Sequence, residues 1–290
     1  MQCELSVRLM QAEPEEASLL VTTSWDDGHP SDLRLAELLE KHGVAATFYV
    51  PSSNSEGRPV MRSSEIAELG RYFEIGGHTQ NHIVLTDIAP DAAATQLSVN
   101  KFWLENLLGR EVCGFAYVRG RHNRTVRRLV EQAGYRYART VKNLVSSPGS
   151  NRFQVPTTTQ FFGHPTSTYV RNYLSNGPNL NRAATLAAAL SDDKLVVRLS
   201  RVAEACARSG GYFHLWGHSW ELDEYDLWDE LDSFLGLLRQ IDARFVTNCA
   251  WWAHAAMRDE TQATFVPADG RKECVGPAPL ASAKSARWRM

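Results

Sequence analysis

Two histidines four residues apart and a pair of adjacent carboxylates are the residues of this chain best suited to chemistry. His78 and His82 enclose Thr-Gln-Asn, and on a helical turn this spacing would place both imidazoles on one face as metal ligands. Asp26 and Asp27 repel each other unless a cation or a proton lies between them. Two histidines and one carboxylate would leave open positions on a zinc-like ion, as catalytic sites do, and the second carboxylate could act as a base. Taken singly, each pair also has a structural interpretation, as surface or capping residues.

These polar groups stand at, or just beyond, the ends of predicted strands. The same is true of the segment Tyr117–His122 and of His214 and His218. In parallel α/β folds the carboxyl ends of the strands form one face, and that face holds the active site. We therefore expect segments far apart in the sequence to converge there, with His214 as a core or supporting histidine.

Short apolar runs alternate with amphipathic segments from about Ser18 onward, which predicts parallel strands joined by crossover helices. The predicted strands are Leu19–Thr23, Val44–Val50, Tyr72–Ile75, Val112–Tyr117, Tyr135–Thr140, Tyr212–Leu215 and Arg244–Thr247. The predicted helices are Leu33–Glu40 with Asp32 as its cap, Ser64–Leu69, Pro90–Leu108, Thr125–Ala133, Asp192–Arg208 and Tyr225–Leu238. This alternation is typical of an open doubly wound sheet or of a barrel.

Composition divides the chain into three segments. We expect an N-terminal extension over residues 1–17, one folded domain over 18–258, and a poorly ordered tail over 259–290, where periodic apolar residues are few. Within the domain, Lys142–Asn181 is rich in Ser, Thr, Asn and Pro, which predicts a long surface excursion.

The overall composition excludes several classes of protein. Of 290 residues, 31 are Lys or Arg and 33 are Asp or Glu, and 43% are hydrophobic, which excludes disordered and collagen-like chains. The net charge of −2 argues against a nucleic-acid partner. No apolar run approaches the roughly 18 residues of a membrane span, and the first 17 residues contain no apolar signal core. Five scattered cysteines suit reduced thiols, so we predict a cytoplasmic protein without a membrane partner.

Three motifs, taken in order, give the chain a resemblance to a known family. They are Thr23–Gly28 (TSWDDG), Ala46–Pro51 (ATFYVP) and Gly77–His82 (GHTQNH). Over about Leu19–Ala250 the chain resembles the polysaccharide deacetylase superfamily. This resemblance implies a distorted (β/α) barrel of about seven parallel strands, with the active site at the C-terminal ends of the strands. It also implies metal-dependent removal of N-acyl groups from amino sugars.

The resemblance assigns roles to the residues at the first and third motifs. It implies that Asp26 is the general base and that Asp27, His78 and His82 are the ligands of one divalent metal ion. Zinc is the ion expected, with cobalt, nickel and iron as alternatives. Such an ion lowers the pKa of a water and polarises an acyl oxygen, while the base takes the proton of the water.

A late motif of the family is a strand that ends in Leu-x-His. Leu215-Trp216-Gly217-His218 matches it, so the resemblance implies that His218 is the general acid that protonates the leaving amine. It further implies that Leu215 and Trp216 shape the pocket for the acyl methyl group.

The middle motif departs from the family. It usually reads close to Arg-Pro-Pro-Tyr-Gly, and here Ala116 stands where an arginine would tether the base, and Arg119 where a tyrosine would stand. Arg121 could restore the tether to Asp26 by reaching back. Tyr117, Arg119 and Arg121 are candidate substrate-binding residues, and the two arginines suggest a substrate with a negative group, such as a sugar nucleotide or a uronic acid.

Four functions remain open at this stage. The first is a cytosolic, metal-dependent N-deacylase of a small or oligomeric amino sugar that removes an acetyl or formyl group. The second is a C–N hydrolase that opens a cyclic imide or ureide at the same site. The third, a two-histidine-one-carboxylate iron oxygenase, is disfavoured because it needs no second Asp. The fourth is a non-catalytic sugar-binding relative, supported only by Ala116 and Arg119 and opposed by the retained Asp26 and His218.

Overall fold

Runs rich in apolar and β-branched residues form short parallel strands in a curled sheet. The computed structural model describes residues 19–209 and 211–252, apart from the side chain of Asn181. The strands within these ranges are β1 Leu19–Asp26, β2 Thr47–Val50, β3 Glu74–Gly77, β4 Gly114–Ala116, β5 Tyr137–Arg139, β6 Thr159–Gln160, β7 Tyr212–His218 and β8 Ala243–Phe245. The predicted extension 1–17 and tail 259–290 lie outside the described residues.

Helices connect the strands and cover the outer face of the sheet. They are α1 Asp32–Lys41, α2 Ser63–Leu69, α3 Pro90–Leu108, α4 Arg124–Gln132, α5 Thr166–Ser175, α6 Leu180–Ala189, α7 Leu195–Ser209, α8 Ser219–Glu224 and α9 Trp228–Leu238. Helix α3 matches its predicted bounds, since Pro90 starts it and Gly109 ends it in the left-handed conformation, with φ 64°. None of the helices in the described ranges combines the length and apolarity of a membrane span.

The sheet has the strand order β5-β4-β3-β2-β1-β7-β6, with every pairing parallel, and β8 pairs with β1 beside it. The segment 155–160 links the two edges of this order. The Val155 amide donates to the Ala138 carbonyl of β5, and the Thr158 amide donates to the His214 carbonyl of β7. The predicted distorted (β/α) barrel of about seven parallel strands is therefore confirmed.

Strand alternation divides the side chains of β7 between two faces. On the inner face, His214 lies in register with Thr22 of β1, and its ring contacts the Thr22 hydroxyl at 2.9 Å and the Ser24 hydroxyl at 2.8 Å. On the outer face, Phe213 packs against Phe234 of α9. Burial, with a smaller effect of the nearby Arg139 charge, lowers the pKa of His214 well below its usual range. His214 is thus a neutral, hydrogen-bonded core residue.

Two predictions about local structure are wrong. The segment Lys142–Asn181 is not a surface excursion, because it contains β6 and α5 and buries residues such as Phe161 in the core. The prediction of a surface segment rested on its polar composition. In the folded chain, however, many of these polar residues are buried beside the strands.

Asp32 does not cap α1 from outside the helix. It is the first helical residue, Ser31 holds the cap position, and the Asp32 side chain is fully buried, which raises its pKa well above the usual range.

Other boundaries shift. Strand β7, which was predicted to end at Leu215, extends to His218. The predicted helix Tyr225–Leu238 begins at Trp228, after the separate short helix α8. Extension of β7 matters for the site, because it makes His218 part of the sheet.

Candidate active site

Asp27, His78 and His82 form a buried cluster at the carboxyl ends of β1 and β3. Nε2 of His82 lies 3.0 Å from Oδ1 of Asp27, and Nε2 of His78 lies 3.6 Å from the same oxygen. One ligand atom from each residue fits within 4.8 Å of the others. The structure thus brings together the three residues that were predicted to share a metal ion.

The two histidines come from a loop after β3 rather than from a helical turn. Thr79 and His82 have φ of 68° and 54°, and Asp27 has φ of 79°, all in the left-handed region that non-glycine residues rarely adopt. Each such residue costs on the order of 1–3 kcal/mol and persists only where its surroundings enforce it. The carboxamide of Asn100 on α3 accepts from the His78 amide at 3.0 Å and helps to hold the loop.

Hydrogen bonds fix the orientation of the cluster. Nδ1 of His78 lies 2.8 Å from the carbonyl oxygen of Ala116, which can only accept, so Nδ1 carries the proton and Nε2 faces Asp27. The indole of Trp220 donates to Oδ2 of Asp27 at 2.9 Å. This leaves Oδ1 of Asp27 directed toward the two imidazoles.

The protonation states suit a cation. Burial lowers the pKa of His78 to about 4, so its imidazole is neutral at pH 7. Burial alone would raise the pKa of Asp27, but the contact with His82 and the charges of His218 and His78 outweigh it, and the pKa falls below the usual range. Oδ1 of Asp27 is buried without a well-formed hydrogen bond. A carboxylate and two imidazoles are a donor set for zinc and similar divalent ions, so these residues fit a metal.

Asp26, the last residue of β1, forms a buried ion pair with Arg139 at the end of β5. Arg139 is fully buried, and its guanidinium lies 5.2 Å from the ring centroid of Trp216. The proposed tether from Arg121 is wrong, because Arg121 pairs with Asp87 at 2.6 Å. Sequence reasoning missed Arg139, although an arginine within an otherwise apolar strand was an available signal.

His218, the last residue of β7, stands next to Asp26 in the sheet, because the two are paired in register. Its Nδ1 lies 3.0 Å from Oε2 of Glu221, three residues further along the chain. Burial would lower the pKa of His218, but the hydrogen bond and charge of Glu221 and the charges of Asp27 and Asp26 raise it to about 9. His218 is therefore protonated at neutral pH.

Glu221 was not among the predicted residues, and it is held by two further side chains. The Gln160 amide donates to both of its oxygens at 3.0 Å, and the Gln160 oxygen lies 2.9 Å from Nε2 of His164. The i, i+3 spacing of His218 and Glu221 is the signal that could have identified the pair.

Of the predicted pocket residues, Trp216 faces the site and two others do not. Its ring centroid lies 5.4 Å from that of His218. Leu215 is fully buried in the main core, and strand alternation places it on the opposite face from Trp216 and His218, so its predicted role is wrong. Tyr117 is also buried, packs on Phe115 and donates its hydroxyl to the Phe153 carbonyl, so its predicted substrate contact is wrong too.

Arg119 and Arg121 are exposed and already paired with carboxylates. The guanidinium of Arg119 lies 2.9 Å from Oε1 of Glu56, which is also 3.5 Å from Nδ1 of His82. Arg119 therefore lies near the mouth of the cluster, but its charge and that of Arg121 are balanced, which weakens the argument for an anionic substrate at these two residues.

Comparison with known proteins gives a family-model match over part of the chain. Residues 14–138 match the family model for polysaccharide deacetylase. The match ends one residue before Arg139 and well before His218, so the roles of those two residues rest on geometry. No curated protein matches the chain significantly.

Solved structures share the fold at low sequence identity. The chain is similar to a candidate polysaccharide deacetylase from Mycobacterium smegmatis, with a TM-score of 0.59 and 17% identity over 90% of this chain and 96% of that one. It is also similar to the Xyl-CE4 domain of a xylanase from the hindgut metagenome of Trinervitermes trinervoides, with a TM-score of 0.52 and 17% identity over 82% and 91% of the two chains. A third match is the Bc1960 peptidoglycan N-acetylglucosamine deacetylase, with a TM-score of 0.50 and 18% identity over 82% and 89%.

Proposed function

We propose that the chain is an amide hydrolase that removes an N-acyl group from an amino sugar in a metal-dependent reaction, and its match to the polysaccharide deacetylase family model over residues 14–138 supports this. One observation carries this proposal: Asp26 and His218 lie side by side on β1 and β7, next to the Asp27–His78–His82 cluster. A carboxylate and a protonated imidazole next to a Lewis-acid site supply the base and the acid that amide hydrolysis requires. The cytoplasmic location stays a prediction.

We assign Asp27, His78 and His82 as the residues that would hold the divalent ion, with zinc as the first candidate. When bound, the ion would polarise the acyl carbonyl and acidify the attacking water. Trp220 contributes by donating to Oδ2 of Asp27, because partners of this kind orient a ligand and tune its affinity for the metal.

Asp26 is proposed as the general base. Its partner Arg139 fixes the orientation of the carboxylate inside the barrel, since a buried guanidinium packed beside Trp216 has little freedom to move. Arg139 therefore tethers the proposed base, as the family's arginine at the position of Ala116 would do. The interpretation as a non-catalytic sugar-binding relative was supported only by Ala116 and Arg119, and Ala116 no longer supports it.

His218 is proposed as the general acid that protonates the departing amine. The amine leaves poorly unless it receives a proton, and Glu221 keeps His218 in the charged form that can donate one. Trp216 lies between Arg139 and His218, and we propose that its ring lines the space for the acyl methyl group.

The direct test is release of acetate or formate from N-acylated glucosamine and its oligomers by the zinc-loaded chain. We expect Asp26→Asn to abolish release while the metal content, measured by elemental analysis, stays near one equivalent. Asp229→Asn, an exposed aspartate on α9, is the matched control and is expected to retain activity. A metal-loaded enzyme that opens a cyclic imide or ureide but releases no acid from any amino sugar would refute the proposal and favour the second function.

A further inference from the structure

Two of the cysteines that are scattered through the sequence meet in the folded chain. Cys113 immediately precedes β4, and Cys249 follows β8, 136 positions later. The thiol of Cys249 donates a hydrogen bond to the sulfur of Cys113, and both residues pack against the same small cluster around Tyr137. Both thiols are free. Two sulfur atoms in direct contact need little movement to form a covalent bond.

The backbone on both sides of this contact is fixed by hydrogen bonds. The Cys113 carbonyl accepts from the Arg136 amide at 2.7 Å, which ties it to the chain just before β5. The Cys249 amide donates to Oε2 of Glu74 at 2.9 Å, and Oε1 of Glu74 accepts from the Tyr137 hydroxyl at 2.6 Å. Glu74 and Tyr137 are the first residues of β3 and β5. The amino-terminal ends of these strands therefore hold the two cysteines in place.

A small molecule can reach the two thiols. Cys113 and Cys249 are both partly exposed, and both line a cavity of about 380 Å³. This volume is within the range of pockets that bind small molecules, about 300–1,000 Å³. Cys206, by contrast, is fully buried in the core, where burial raises the pKa of its thiol to about 12. Among the cysteines that the structure describes, only Cys113 and Cys249 combine a neighbouring thiol with access from outside.

The contact makes the two thiols chemically unequal. The hydrogen bond from Cys249 lowers the pKa of Cys113 below its usual value and outweighs partial burial, which acts in the opposite direction. The nearby charges of Glu111 and Arg136 have smaller and opposing effects. The same hydrogen bond, with burial and the charge of Glu74, raises the pKa of Cys249. Because the thiolate is the nucleophile in disulfide exchange, Cys113 is the attacking thiol and Cys249 reacts second.

We propose that Cys113 and Cys249 form a reversible disulfide by exchange with a small-molecule disulfide of the glutathione class. The Cys113 thiolate attacks one sulfur of that molecule, its S–S bond breaks, and one glutathione leaves as a thiolate that takes up a proton. Cys249 then loses its proton and attacks the Cys113 sulfur of the mixed disulfide, which expels the second glutathione. The two protein thiols lose two electrons, and the small disulfide gains them as it becomes two thiols.

The new bond joins the segment after β8 to the start of β4. It closes a long loop of the chain, which restricts the unfolded state and so stabilises the fold. The two cysteines lie at the amino-terminal ends of the strands, whereas the Asp27–His78–His82 cluster lies at the carboxyl ends. Oxidation is therefore expected to change the stability of the chain, and it is independent of the proposed function.

The test uses the full chain with Cys3→Ser and Cys274→Ser, since those two cysteines lie outside the described residues. The reduced protein is incubated with oxidised glutathione, and its thiols are counted in denaturant. We expect the count to fall from three to one, with residues 113 and 249 linked in a non-reducing digest analysed by mass spectrometry. The unfolding temperature should rise by roughly 10 °C, and dithiothreitol should reverse both changes. A count that stays at three, or a reaction that ends at a mixed disulfide with glutathione, would overturn the inference.

Two single substitutions in the same background assign the roles. Cys249→Ser should stop the reaction at a mixed disulfide on Cys113 and remove the rise in unfolding temperature. Cys206→Ser is the matched control and should form the disulfide as the parent does. If the two variants give the same products, the inference fails. Because the readouts are thiol count, mass and unfolding temperature, the result is the same whether or not the chain releases acid from amino sugars.

Discussion

Replacing Glu221 by glutamine should move the alkaline limit of activity toward lower pH. The substitution removes the charge beside His218 but keeps the shape of the side chain and an oxygen that can still accept from Gln160. His218 must be protonated to act as an acid, and its pKa of about 9 keeps it so at neutral pH.

The size of the shift follows from the contact that is lost. A hydrogen bond to a charged group contributes about 1.5–3 kcal/mol, and one pKa unit corresponds to about 1.4 kcal/mol, so the pKa of His218 should fall by about 1–2 units. At about pH 8.5, a fall from about 9 to about 7.5 reduces the protonated fraction from roughly three quarters to roughly one tenth. Activity should therefore fall about eightfold at that pH and stay nearly unchanged near pH 6.

The assay is the pH dependence of kcat/KM, which reports the groups of the free enzyme. Glu204→Gln, at the exposed Glu204–Arg208 pair on α7, is the matched control and should leave the profile unchanged. Thermal unfolding gives a second readout. Because the folded pKa of His218 lies above its unfolded value near 6.5, its stabilising contribution is complete below about pH 6.5 and is lost as the pH rises through about 9. If the alkaline limits of Glu221→Gln and the parent coincide, the assignment of His218 and Glu221 as an acid and its partner is refuted.

Three further substitutions test the remaining parts of the site. Arg139→Met leaves Asp26 buried without its partner and should lower the free energy of unfolding by about 3–5 kcal/mol and reduce kcat at least tenfold; an unchanged denaturation midpoint would contradict the buried ion pair. Trp220→Phe removes the donor to Asp27 and should weaken metal affinity about 10–100-fold, measured by chelator competition, whereas unaltered affinity would exclude this orienting role. Leu215→Ala should cost about 2–5 kcal/mol of stability with little effect on KM for small amides, and a selective rise in KM would return Leu215 to the pocket.

The sequence predicted structure correctly where a local pattern of residues determines it. Helix α3 has a proline at its start and a glycine at its end, and both boundaries were predicted correctly. The convergence of Asp27 with His78 and His82 followed from their positions at strand ends. Backbone conformations that need long-range support, such as the positive φ of Thr79, have no local signature.

The residues that were missed act across the barrel. Arg139 reaches Asp26 over 113 positions of sequence. An arginine in an otherwise apolar strand indicates a buried partner, but the sequence does not show which carboxylate that partner is. The opposite error concerned Leu215, whose place in the motif suggested the pocket. β7 runs three residues past its predicted end at Leu215, and the alternation of side chains along it places His214, Trp216 and His218 on one face and Leu215 on the other.

The in-register pairing of Asp26 with His218 has a consequence for redesign of the enzyme. The two residues that we propose as base and acid are separated by a single step between neighbouring strands, about 4.8 Å, and this spacing is fixed by main-chain hydrogen bonds. Grafting longer or shorter loops between β2 and β6 would leave that spacing unaltered. A one-residue insertion within β1 or β7 would instead turn one of the two side chains to the wrong face of the sheet. Loop exchange can thus be used to alter the substrate range, whereas β1 and β7, which carry the proposed base and acid, accept only substitutions.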